Sequence, residues 1–280
     1  MAYKTILVSL NEIARLSSLN AIAKRIGAAF SAHVSGLYVV PSVQFYPSVG
    51  LEAVPQVFEG HRTYFKDHSE EVRRSFSAAM EAEGLAYNVA ITEAQSPLIA
   101  DELVIRGRAA DLVIVNATNP DQATGVELDC VERVVMGVGR PVLVLPYKGA
   151  DTLDLSEIVI GWNGHREAAR AAFDALPLLK IAGKVSIVHV DPQKDAERGN
   201  SLPGADLAEA LARHGVKATA EGLKTEGVEA GHALLRRANE SGAGMVVMGA
   251  YGHSRLREFV FGGATSHVLA HLDRPVLVSH

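Results

Sequence analysis

Four short, β-branched blocks occur twice along these 280 residues, in the same order. Lys4–Asn11 (KTILVSLN) lies over Ser156–Asn163 (SEIVIGWN) at an offset of 152, and Ser35–Pro41 lies over Ser186–Pro192 at 151. Leu112–Val115 matches Met245–Met248 at 133, and Arg140–Val144 (RPVLV) returns letter for letter as Arg274–Val278 at 134. Self-similarity over so long a period makes each copy one structural unit, so the chain reads as two copies of one domain. The offset falls by 18 between the second and third blocks, so the first copy carries about eighteen extra residues, in and after the segment Ser42 to Gly60.

Each block is apolar on both faces and bounded by Gly, Pro or Asn, as buried parallel strands are. Helical periods separate them: Leu19, Ile22, Ala23, Ile26 and Phe30 in the first copy, and Ala169, Ala172, Phe173 and Leu176 in the second. Ser96-Pro97 predicts a cap and a first-turn proline for the helix carrying Ile99 and Leu103. Tyr87–Glu93 and Val216–Leu223 take the place of a third strand in each copy. The order is β-α-β-α-β-α-β-α-β, twice. Parallel neighbours need right-handed crossovers, so the expected fold is two tandem α/β domains, each a five-stranded parallel sheet with helices on both faces. The expected domains are 1–147 and 148–280, with the polar stretch Tyr147 to Ser156 as linker. Two nearly identical apolar last strands, Pro141–Val144 and Pro275–Val278, are expected to pair in an intramolecular pseudo-dimer, because an unpaired apolar edge is an aggregation hazard. A homodimer is a further expectation.

A formal net charge of −5 gives no reason to expect nucleic acid or an anionic membrane as partner. The apolar run Ile6 to Leu10 is too short for a signal-peptide core or a membrane span. The single cysteine, Cys130, makes no internal disulfide, which suits a reducing compartment. The expected location is cytoplasmic.

The chemistry is expected beyond the carboxyl ends of the strands, where the strand order reverses. After the fourth strand of the second copy come Gly249-Ala250-Tyr251-Gly252, nine residues from His253 to Phe261, then Gly262-Gly263 and a helix. Glycines let a backbone approach a ligand closely, and a helix N-terminus favours an anion. Thr265 and Ser266 add hydroxyls, and His253 and Arg255 add cations. A tight turn with a helix cap would carry the same glycines. Two alternatives are excluded: no glycine fingerprint follows either first strand, and no Gly-Lys-Ser/Thr triplet exists in the chain.

Over essentially its whole length the sequence resembles tandem members of the universal stress protein family. The nucleotide-binding branch of that family carries Gly-x2-Gly-x9-Gly-Ser/Thr after the fourth strand. Gly249, Gly252 and Gly262 match this pattern, whereas Gly263 stands in place of the hydroxyl residue. The resemblance implies a Rossmann-like domain per repeat and ATP, with Mg2+, in the second copy. It also implies phosphates at the loop and the base near the ends of the first two strands, where Asn163 replaces the usual aspartate and Val190 lines the adenine. The candidate binding residues are thus Gly161, Trp162, Asn163, Val190, Gly249, Gly252, His253, Arg255, Gly262, Gly263, Ala264 and Thr265. The first copy has Asn116, Asn119, Leu128 and Asp129 at the glycine positions, so side chains fill the approach and a carboxylate repels phosphate.

His267 and His271, at i and i+4, lack a clear third ligand, so no metal site is expected. His189 is expected to be a hydrogen-bonded core residue. Trp162, although able to stack on a base, is expected to pack in the core. Cys130 has no adjacent base and is not expected to be a nucleophile. Phe45-Tyr46-Pro47 forms either a lid or partner contact, or a loop folded on its own domain. With no base, metal-carboxylate pair or phosphate-gripping lysine at the loop, no catalytic residue is assigned. The leading expectation is a stress-response protein that binds ATP as a sensor or regulator. The alternatives are a slow ATP hydrolase and a scaffold that binds no nucleotide because of Gly263.

Overall fold

The computed structural model describes residues 2–42, 54–122, 124–190, 204–225, 227–251 and 263–280. Packing divides the chain into a unit of Tyr3–Arg140 and a unit that holds Pro141–His280.

In the first unit, β1 (Thr5–Ser9), β2 (His33–Val40), β3 (Tyr87–Glu93) and β4 (Leu112–Asn116) alternate with α1 (Leu16–Phe30), α2 (Val54–Glu81) and α3 (Ile99–Gly107), and α4 (Cys130–Val138) follows. β1 pairs in parallel with β2 on one side and β4 on the other, and β2 pairs with β3, giving the order β3-β2-β1-β4. The expected apolar stripe of α1 is the face it buries as far as Ile26: Leu19, Ile22, Ala23 and Ile26 are at most 1% exposed, and Phe30 at the helix end is half-buried. Each large side chain on such a face stabilises the unit by roughly 1.5–3 kcal/mol. α2 runs for 28 residues against nine in its counterpart of the second repeat, so the extra length includes helix from Val54 onward. Phe45-Tyr46-Pro47 lies outside the described residues.

In the second unit, β6 (Glu157–Trp162), β7 (Lys184–Val190), β8 (Ala218–Leu223), β9 (Met245–Gly249) and β10 (Val276–Ser279) alternate with helices. These are α5 (Arg166–Asp174) with the short α6 (Leu176–Leu179), α7 (Ala205–Arg213), α8 (Ala230–Ser241) and α9 (Gly263–Ala270). The parallel order is β8-β7-β6-β9-β10. β5 (Val142–Leu145) adds to β10 antiparallel, with Val144, Leu143 and Val142 opposite Val276, Leu277 and Val278. The two RPVLV strands therefore pair, and all six of these side chains are fully buried. This sheet is mostly parallel rather than wholly so.

Two local expectations change. α3 begins at Ile99, two residues beyond Pro97, because the Ser96 hydroxyl oxygen accepts the Leu98 amide at 3.1 Å and holds a turn there. Phe173 is 41% exposed, since α5 turns Ala168, Ala171 and Ala172 inward instead. Small residues there let the helix lie close to the sheet, and the close contact at Gly249 described below depends on this.

Candidate functional site

In both units the chain runs outward from the first strand to the second and third, then crosses back to place the fourth on the first strand's other side. That reversal opens a crevice beyond the carboxyl ends of the first, second and fourth strands. The two repeats treat it in opposite ways.

In the first repeat Asn11, just past β1, is 1% exposed. Its Nδ2 donates to Val39 O at 2.7 Å and its Oδ1 accepts the Val39 amide at 3.0 Å. One carboxamide thus satisfies both polar groups that the end of β2 turns toward the crevice. Glu12 is 6% exposed and accepts the Thr124 hydroxyl at 3.1 Å, tying this loop to the segment after β4. Burial raises the Glu12 pKa against the opposing hydroxyls of Thr124 and Thr118. The residues expected to block this crevice do otherwise. Leu128 is 65% exposed and turns to solvent. Asn119 accepts the Asp121 amide within its own turn, and Asp129 is paired with Arg133 at 2.7 Å. Asn116 is buried at the end of β4. Asn11 and Glu12 close the crevice, and the signal that would have found them is a polar pair directly after a buried strand.

In the second repeat the corresponding loop is exposed among the described residues. Asn163 and Gly164 are exposed; Asn163 Oδ1 accepts the His165 amide at 3.0 Å, and Gly164 takes φ +73°, which suits glycine. The same asparagine that closes one crevice therefore turns back on its own loop in the other. Val190 ends β7 half-buried, opposite Leu223 of β8. Trp162 is half-buried, whereas its counterpart Leu10 is fully buried; its Cδ1 stands 3.5 Å from where a Cβ on Gly204 would lie.

The glycines separate by role. A Cβ on Gly249 would stand 2.4 Å from Ala168 N and 2.5 Å from the Glu167 carbonyl carbon, so this position is glycine because β9 presses on α5. A Cβ on Gly161 would stand 2.8 Å from Leu234 of α8. Gly263, the first residue of α9, is exposed, with no described atom within 4 Å of where a Cβ would lie. Ala264 is half-buried, its carbonyl oxygen 2.6 Å from where Gly231 would carry a Cβ. Thr265 is 4% exposed and its hydroxyl oxygen accepts the Tyr251 amide at 3.3 Å, so it steadies a residue at φ +56° rather than facing outward. Gly252, His253, Arg255 and Gly262, with the segment to Phe261, lie outside the described residues.

Elsewhere, Cys130 is buried, and burial together with Glu127, Glu12, Asp129 and Glu132 pushes its thiol pKa well up, which disfavours the nucleophilic thiolate. His189 is 5% exposed within β7. His267 stacks on His271 at 4.2 Å and meets His232 edge-on at 5.7 Å. Among the described residues no group of three or more His, Cys, Asp or Glu is arranged to hold a metal ion, and no helix is long and apolar enough to cross a membrane.

Residues 154–280 match the universal stress protein family. A curated universal stress protein of Synechocystis is 28% identical over 155 residues, 52% of this chain and 49% of that protein, so the chain spans about half the length of the curated relative it matches. A universal stress protein from Archaeoglobus fulgidus DSM 4304 superposes with a TM-score of 0.69 at 15% identity, covering 98% of this chain and 97% of its own. A putative universal stress protein from Pseudomonas aeruginosa UCBPP-PA14 gives 0.56 at 18% identity, covering 99% and 93%. These likenesses establish the fold, two α/β repeats in tandem.

Proposed function

We propose that this chain, whose residues 154–280 match the universal stress protein family, is a nucleotide-binding module whose second repeat alone holds one ATP. The observation that supports this reading is the opposite state of two equivalent loops: Asn11 and Glu12 are buried at the first crevice, while Asn163 and Gly164 are exposed at the second. The half-buried end of β7 at Val190 suits an adenine edge, and the N-terminus of α9 at Gly263 suits phosphate, which a helix N-terminus favours through its unpaired amides. A magnesium ion would take most of its ligands from phosphate and water. Among the described residues no group of three or more His, Cys, Asp or Glu is arranged to hold that ion instead.

This is a binding function, expressed as a difference between nucleotide-bound and empty chain in a cytoplasmic stress response. Calorimetry on the full chain with ATP and magnesium, with chromatography of nucleotide released on denaturation, tests it. The expected result is one ATP per chain, recovered intact, and loss of binding on Gly262→Val. A stoichiometry of two, or no binding at all, overturns it.

A further inference from the structure

At the exit of β9 a cation and a carboxylate sit side by side. Arg166, the first residue of α5, has a side chain 86% exposed, and its Nε donates to Glu167 Oε1. The Glu167 side chain is only 5% exposed. Its Cβ lies 2.8 Å from where Gly249 would carry one, so the pair abuts the residue at which the strand gives way to the glycine-flanked segment. Burial by itself would raise the Glu167 pKa, but the Arg166 hydrogen bond and charge, a backbone hydrogen bond at Glu167 and the charge of His280 together outweigh it and lower the pKa. A fixed negative charge at that point opposes an anionic ligand. The guanidinium cancels it, and its remaining N–H groups offer a planar fork suited to phosphate. At the same offset the first repeat has Ala14 and Arg15, so the adjacent Arg-Glu pair is not repeated there.

We propose that Arg166 and Glu167 together set the ligand charge this crevice accepts. Arg166 binds the outer phosphates of a polyphosphate, and Glu167 both restrains Arg166 and discriminates against anions that do not engage it. The inference rests on the reading of the second repeat as a nucleotide site and names a charge-selecting pair for it.

The test is calorimetry of the full chain with ATP, ADP, AMP and adenosine, for the unaltered protein, Arg166→Gln, Arg166→Lys and Glu167→Gln. Arg166→Gln should weaken ATP by about 10- to 100-fold, the worth of a charge-assisted hydrogen bond, and leave adenosine within about two-fold. Arg166→Lys should recover part of the loss. Glu167→Gln should tighten ATP several-fold without changing adenosine. Arg166 is exposed, so its variants keep the fold, and circular dichroism checks this for Glu167→Gln. If Arg166→Gln weakens all four ligands equally or none, or if Glu167→Gln weakens ATP, the pair does not select charge. If the unaltered chain binds none of the four, the nucleotide reading itself fails and the inference falls with it.

Discussion

Replacing Gly263 by serine should tighten ATP binding. The residue opens α9 in an exposed position, and no described atom lies within 4 Å of a Cβ placed there. A side chain there therefore has room. Two gains follow. Serine is better than glycine in a helix by about 0.5 kcal/mol, which stabilises the empty protein slightly. A hydroxyl donating to phosphate adds roughly 1.5–3 kcal/mol, the usual worth of a hydrogen bond to a charged group, or about 10- to 100-fold in Kd. Gly263→Ala separates the two, because it takes the helical gain without the hydroxyl. Calorimetry with ATP on all three proteins, together with thermal melts of the empty forms, distinguishes them. Equal affinity for the serine and alanine variants, or weaker binding by serine, would refute the placement of phosphate at the start of α9.

Asn11→Ala should destabilise the chain by roughly 2–4 kcal/mol in urea titrations, because it strands the Val39 amide and carbonyl in a buried place. Asn163→Ala, at an exposed turn, should cost no more than about 1 kcal/mol; equal losses would contradict the asymmetry of the crevices. Gly249→Ala forces a methyl into the backbone of α5 and should cost about 3 kcal/mol or prevent folding; a stable variant would show that β9 and α5 are less closely packed. His267 has its pKa lowered by desolvation and by His271 and His232, against the pull of Glu229. The folded state therefore binds this proton less readily than the unfolded chain, and stability should fall as pH drops below the ordinary imidazole value of 6.5. His267→Gln should flatten that slope in melts between pH 5 and 8, and an unchanged slope would assign the effect to other groups.

Much of the architecture is local and so was legible in the residues. RPVLV occurring twice, β-branched runs between helical periods, and a shared block order require two α/β units, because parallel strands leave no other way to connect them. The third strands, though weakly patterned, stand where expected, β3 at Tyr87–Glu93 and β8 at Ala218–Leu223. The glycine spacing was also plain, but its meaning was not. Only packing shows that Gly249 and Gly161 are small because helices press on them, while Gly263 faces open space. Leu128 looked like an obstruction and turns outward, whereas Asn11, identical in type to Asn163, turns inward onto Val39. Periodicity reports which residues share a face of their own element, and that is enough to build the sheets. What a side chain meets across a crevice depends on elements far away in the chain, so the choice between a buried and an exposed loop belongs to the tertiary structure.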